Sequence, residues 1–172
     1  MHKKNNTHII AFVATSIDGR ISLRKKTCPD WTSPEDWRFF QTSLQKMDAV
    51  VVGHNTYEAA RARLKKRCTY VLSRSRTRTY RAGSVTFINP DSVDMDEILR
   101  HHRSVAVLGG ASVYGMFFDR NLVDELYVTI EPLIFGRGVP MVKDCTKTAH
   151  LSLCCIKKLN HSGTVLMHYK KL

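Results

Sequence analysis

The chain has 172 residues, 43% of them apolar, which is enough for one sizeable core and short for two independent domains. Residues 1–172 are therefore expected to form one domain. Its 27 Lys and Arg against 15 Asp and Glu give a formal charge of +12, which favours an anionic partner, either a phosphate-bearing ligand or nucleic acid. The five cysteines (Cys28, Cys68, Cys145, Cys154 and Cys155) form no C-x-x-C pair, and their odd number argues against a complete disulfide framework. They read as free thiols in a reducing compartment, most of them buried as small apolar side chains. Cys145 and His150 have no further ligands at usable spacing, so no metal site is expected.

From the N-terminus, Met1 to Thr7 is polar and basic, and the apolar run Ile9 to Ala14 is too short for a signal-peptide core or a membrane span. The protein is expected in the cytoplasm. That run, closed by the turn Ser16-Ile17-Asp18-Gly19, reads as a strand buried on both faces. Further strands are expected at Ala49–Val52, Thr69–Leu72, Val85–Ile88, Val105–Leu108 and Leu126–Ile130. Helical spacing falls between them at Pro34–Gln45, Thr56–Arg63, Val93–His101 and Ser112–Phe118. Alternation of strand and helix implies a largely parallel sheet covered on both faces, an α/β architecture in three layers. After Leu126 no helix is expected. Leu151–Lys158 and Thr164–Tyr169, joined across Asn160-His161-Ser162-Gly163, read as an antiparallel hairpin closing the sheet edge.

Three strand ends carry ligand-binding chemistry. Val105–Leu108 runs into Gly109-Gly110 and then a helix, a turn without Cβ atoms where a pyrophosphate can approach N–H groups and the helix dipole. Val71-Leu72 opens into Ser73-Arg74-Ser75-Arg76, and Val50–Val52 into Gly53-His54-Asn55-Thr56. Taken singly, each also reads as a tight turn, a solvated arginine loop or a helix cap. Taken together on one parallel sheet, they can hold a dinucleotide.

Before the first helix, Ser33 is the expected N-cap, Pro34 the first turn and Asp36 the third residue past the cap. Two readings of Asp36 stand equally. It completes a capping box and favours the dipole, or it is a partly buried carboxylate that engages a nitrogen heterocycle and helps deliver a proton.

In order along the chain stand Ala14 to Arg20, Trp31 to Asp36, Gly53-x-x-Thr56, Leu72-Ser73-Arg74, Gly109-Gly110-x-x-x-Tyr114 and Val123 to Leu126. This series resembles the dihydrofolate reductase-like superfamily over nearly the whole chain. Ser16 to Arg20 and Pro132 to Pro140 are similar to the reductase half of the bifunctional riboflavin-biosynthesis deaminase-reductase, without its deaminase half. The resemblance implies a dihydrofolate reductase-like fold and reduction by NADPH. It places cofactor contacts at Ala14, Trp31, Gly53, Thr56, Ser73, Arg74, Arg76, Gly109, Gly110, Ser112 and Tyr114, with Arg74 or Arg76 meeting the 2′-phosphate. It implies substrate contacts at Asp36, Phe40, Arg67, Leu108 and Thr129, with Asp36 catalytic. A homodimer paired near Pro132–Pro140 is also implied.

Two departures concern the substrate. Riboflavin-type reductases follow the threonine with an Ala-Asp-Asp-Pro-like segment, where this chain has Tyr57-Glu58-Ala59-Ala60, and they carry Glu where it has Leu108. At both places it is more similar to dihydrofolate reductase. Arg67 falls where those enzymes bind the glutamate tail of folate, and reads equally as a surface cation. The riboflavin-pathway pyrimidine is the leading substrate and dihydrofolate the second. A nucleic-acid or nucleotide-binding protein without turnover is the rival from another class, and it lacks a recognisable nucleic-acid motif.

Overall fold

The most apolar strands of the sequence are the innermost: Val50 to Val52 and Val105 to Val107 are at most 1% exposed. A run apolar at every position has both faces to bury, and such a strand belongs in a parallel sheet between helix layers. The computed structural model describes residues 7–24 and 30–172, so Cys28 and the segment before Thr7 lie outside the described residues. The chain runs β1 (His8–Ser16), β2 (Arg20–Ser22), α1 (Pro34–Gln45), β3 (Ala49–Gly53), α2 (His54–Leu64), β4 (Thr69–Leu72) and β5 (Tyr80–Ala82). It continues through β6 (Val85–Ile88), α3 (Met95–Leu99), β7 (Ser104–Val107), α4 (Ala111–Asp119), β8 (Glu125–Glu131), β9 (Val139–Pro140), β10 (Leu151–Lys158) and β11 (Val165–Lys171).

The large sheet has the order β10-β11-β8-β1-β7-β3-β4-β6-β5. The six strands from β8 to β6 are parallel to their neighbours. β5 and the β10–β11 hairpin add antiparallel edges. Leu44 of α1 and Tyr57 and Leu64 of α2 pack with Ile10, Phe12, Val50 and Val52 on one face. Met95 and Leu99 of α3 and Tyr114 and Phe117 of α4 pack with Ile9, Ala11 and Val13 on the other. The architecture is α/β and three-layered, as the alternation implies.

The structure corrects several expectations. Cys154 and Cys155 are exposed, and Cys68 and Cys145 are half-buried, so these thiols are not core residues. The third helix is only Met95–Leu99, since Asp94 caps it and Arg100 ends it. β2, β5 and β9 have three residues or fewer, too short to show a period. β2 and β9 pair as a separate two-stranded ribbon. That ribbon is tied down by Asp18, whose carboxylate accepts hydrogen bonds from Ser16 Oγ at 2.6 Å, Phe135 N at 3.0 Å and Gly136 N at 2.8 Å. The Ser16 hydroxyl first, and then these backbone donors, lower the carboxyl to about 2.

Candidate active site

A cavity of about 550 Å³ opens at the carboxyl ends of β3, β4 and β7 and extends between α1, α2 and the sheet. One half is made largely of backbone. Gly53 and Gly110 are the N-caps of α2 and α4, and neither helix has a side-chain cap, so leading N–H groups of both remain for a ligand. Gly53 N donates to Gly109 O at 2.7 Å, which ties the two helix starts together, and the Gly109–Gly110 peptide is cis. Gly109 has φ +87°, and a Cβ there would lie 2.7 Å from the ring of Tyr114, so no side chain fits. Tyr114 is buried, its hydroxyl donates to Phe12 O, and burial pushes the phenol well above its usual range.

Ala14, Gly53, Thr56, Ser73, Arg74, Gly110, Ser112 and Tyr114 are thus brought together around the cavity. Arg74 Nε lies 2.9 Å from Asp91 Oδ2, and Arg120 Nη2 lies 3.9 Å from the other oxygen of Asp91. Arg74, Ser112 and Met116 also line a smaller adjoining cavity of about 280 Å³ with Asp119, Arg120, Asp144 and Lys147. Two expected residues stand elsewhere. Arg76 lays its guanidinium over Phe87, 5.2 Å from the ring centroid, and Trp31 packs edge-on against Phe135 at 5.1 Å. Both are taken up by aromatic neighbours, Arg76 by Phe87 on β6 and Trp31 by Phe135 in the loop before β9. Gly109 shapes the turn from behind rather than lining the cavity.

The other half is made of side chains. Ser33 Oγ accepts from Asp36 N at 3.3 Å, so Ser33 caps α1 as expected. The reciprocal bond of a capping box is not made by Asp36, because Ser33 N donates to Glu131 Oε1 at 2.6 Å. The capping reading of the Asp36 carboxyl is therefore corrected: another carboxylate fills that role. The Asp36 side chain instead faces the cavity, where Thr129 and Thr32 hydroxyls hydrogen-bond it. Asp36 is 7% exposed. Burial, chiefly, and the neighbouring Glu131 raise its pKa above the ordinary carboxylate value, against the two hydroxyls.

Around this carboxyl the wall is apolar, formed by Phe12, Phe39, Phe40, Leu108 and Tyr127. Arg67 lines the outer end and donates from Nη1 to Leu44 O at 2.8 Å, so it is anchored rather than a free surface cation. The sequence reading missed Tyr127 and Glu131, although the signal was present. Glu125, Tyr127, Thr129 and Glu131 alternate along β8 with Leu126, Val128 and Ile130, which face the opposite core. Among the described residues, no cluster of three or more His, Cys, Asp or Glu could hold a metal, and no helix is long and apolar enough to cross a membrane.

A fold of this order, with a cavity at the strand ends, is that of the dihydrofolate reductase-like proteins. The family model for the RibD C-terminal domain matches residues 7–165, and the chain belongs to that family. It is 25% identical over 170 residues to the uncharacterized protein YwjB of Bacillus subtilis (strain 168), covering 93% of this chain and 95% of that protein. Its fold matches RibD of Acinetobacter baumannii with a TM-score of 0.79 at 14% identity, over 98% of this chain and 59% of that one. It also matches the Enterococcus faecalis dihydrofolate reductase complexed with NADP(H), with a TM-score of 0.66 at 21% identity over 97% of both chains.

Proposed function

We propose that the chain is a reductase that uses NADPH to reduce a pyrimidine or pterin ring. The observation that carries this reading is Asp36, a buried carboxyl released from helix capping and set in an aromatic-walled cavity beside two uncapped helix N-termini. The fit of the cofactor rests on the Gly109-Gly110 turn, where backbone takes the place of side chains, and on Thr56, Ser73 and Ser112 around it. Arg74, oriented by Asp91, is the guanidinium for the 2′-phosphate. When bound, NADPH supplies the hydride. Asp36 orients the edge of the substrate ring and holds a proton for it, Thr129 and Thr32 fix the carboxyl, and the aromatic wall excludes water.

The riboflavin-pathway substrate, 5-amino-6-(5-phosphoribosylamino)uracil or its close relatives, is the first candidate because of the family match. Leu108, the apolar wall and the anchored Arg67 favour dihydrofolate as the second. We further propose that residues 1–172 act as one domain in the cytoplasm. They would do so as a homodimer that buries the apolar loop carrying Leu133 and Ile134, the latter 73% exposed. An NADPH-oxidation assay against this pyrimidine, dihydrofolate and other dihydropterins tests the reading. Turnover of one of them is expected, and oxidation with none overturns it.

A further inference from the structure

The row of residues that walls the substrate end of the cavity continues beyond it. Phe12 and Tyr127 are lateral partners on β1 and β8, His168 is the partner of Tyr127 on β11, and Cys155 is that of His168 on β10. The Phe12 ring lies 5.3 Å from Tyr127 at an interplanar angle of 8°, and the His168 ring lies 4.2 Å from its opposite face at 3°. Phe39 of α1 leans on Phe12 at 6.3 Å and on Tyr127 at 5.4 Å. Phe12, Phe39 and Tyr127 line the cavity, whereas His168 stands outside it, behind Tyr127.

The imidazole is pinned. His168 Nε2 lies 2.7 Å from Glu125 Oε2, and the other oxygen of that carboxylate lies 3.1 Å from His8 Nε2 and 3.7 Å from Lys170 Nζ. Burial opposes ionisation of this carboxyl, yet the hydrogen bonds from the two imidazoles carry it below its usual range. A ring with a donor on its edge is what this place requires. An aliphatic side chain would cover Tyr127 without fixing its tilt, and a straight amide would bond Glu125 without covering the ring.

We propose that His168 is a positioning residue: stacked on Tyr127 and held by Glu125, it fixes the plane of the wall against which the substrate ring lies. It therefore sets the substrate KM without touching substrate. This rests on the reading above that the aromatic end of the cavity takes the substrate ring.

The test is steady-state kinetics on His168→Leu, His168→Phe, Tyr127→Leu and the double Leu variant, with NADPH affinity and melting temperature measured on each. His168→Leu is expected to raise the KM for the reduced member of the panel about five- to tenfold, with kcat and NADPH affinity held. His168→Phe, which keeps the stacked ring but cannot bond Glu125, is expected to raise KM less, about two- to threefold. In the Tyr127→Leu background the second change should add nothing, because the two residues act as one unit. Equal costs in both backgrounds, or a change in kcat or NADPH affinity in place of KM, would overturn the inference. If His168→Leu fails to fold, His168→Phe and Glu125→Gln carry the same comparison. If the wild-type protein reduces no member of the panel, the functional reading falls. Titration of the same proteins with 2,4-diaminopyrimidine then decides the inference: weaker binding to His168→Leu, non-additive with Tyr127→Leu, upholds it, and equal or no binding overturns it.

Discussion

The two halves of the cavity are built by different means. The half at the starts of α2 and α4 consists of glycine backbone and helix N–H groups, with hydroxyls and Arg74 around them. The half between α1 and β8 consists of side chains, with five apolar or aromatic ones around the buried Asp36 carboxyl. Backbone can be offered to a pyrophosphate by many sequences, provided that glycine stands where a Cβ would clash. A wall of side chains changes with every substitution. On the proposed reading, the first half takes the cofactor and the second meets the substrate ring.

The largest expected effect separates the halves by chemistry. Asp36→Asn is expected to lower turnover by about two to four decades while NADPH affinity holds, since the cofactor half does not contact it. Because burial raises the Asp36 pKa, the wild-type rate should fall as pH rises through that raised value and the proton is lost. The Asn variant should lack this limb. Its melting temperature should hold or rise, because a carboxyl whose folded pKa is raised contributes least above that pKa. A normal rate in the Asn variant would overturn the role of Asp36 in holding the proton.

Arg74→Ala, in the other half, is expected to narrow the preference for NADPH over NADH by about 10- to 100-fold. Arg76→Ala should leave it unchanged, and titration of both cofactors reads the difference. Gly109→Ala tests the claim that backbone does the binding. With φ at +87° and Tyr114 2.7 Å from the new Cβ, it is expected to cost about 1–2 kcal/mol of stability and to weaken NADPH more than substrate, as urea melts and titrations would show. The smallest effect concerns the ribbon beside the cavity. Asp18 is lowered from 3.8 to about 2, so its latch on Phe135 and Gly136 should persist at pH 4 and be lost as pH falls toward 2. Limited proteolysis of the 17–23 and 133–138 loops across that range checks it.

The layers, the parallel sheet and the hairpin were legible because each rests on a run long enough to show its period. Val50–Val52 and Val105–Val107 could only be buried strands between punctuating turns. The glycine turns and Thr56 were legible for the same reason, since they stand where strands end. What could not be read was which side chains meet across the sheet. Arg74 and Arg76 are equivalent in sequence, and only the fold takes Arg76 to Phe87 and leaves Arg74 with Asp91. Ser33 and Asp36 have cap-box spacing, but the bond that would complete the box comes from Glu131, 98 residues away. Exposure of Cys154 and Cys155 follows from their place on an edge strand, which composition does not reveal.

Glu131 has a consequence for how the protein comes apart. One carboxylate oxygen holds Ser33 N at the start of α1, and the other holds the Thr164 hydroxyl, at 2.6 Å, in the turn of the C-terminal hairpin. Asn160 in that turn reaches Glu35 at 3.1 Å. The segment that presents Asp36 and the hairpin more than a hundred residues later thus close on a single buried knot. Neither end should open to hydrogen exchange alone, so the amides around Ser33 and those around Thr164 should share one protection factor. A chain shortened before Asn160 would be expected to lose the ordered carboxyl at Asp36 along with β11 and the pairing that holds β10.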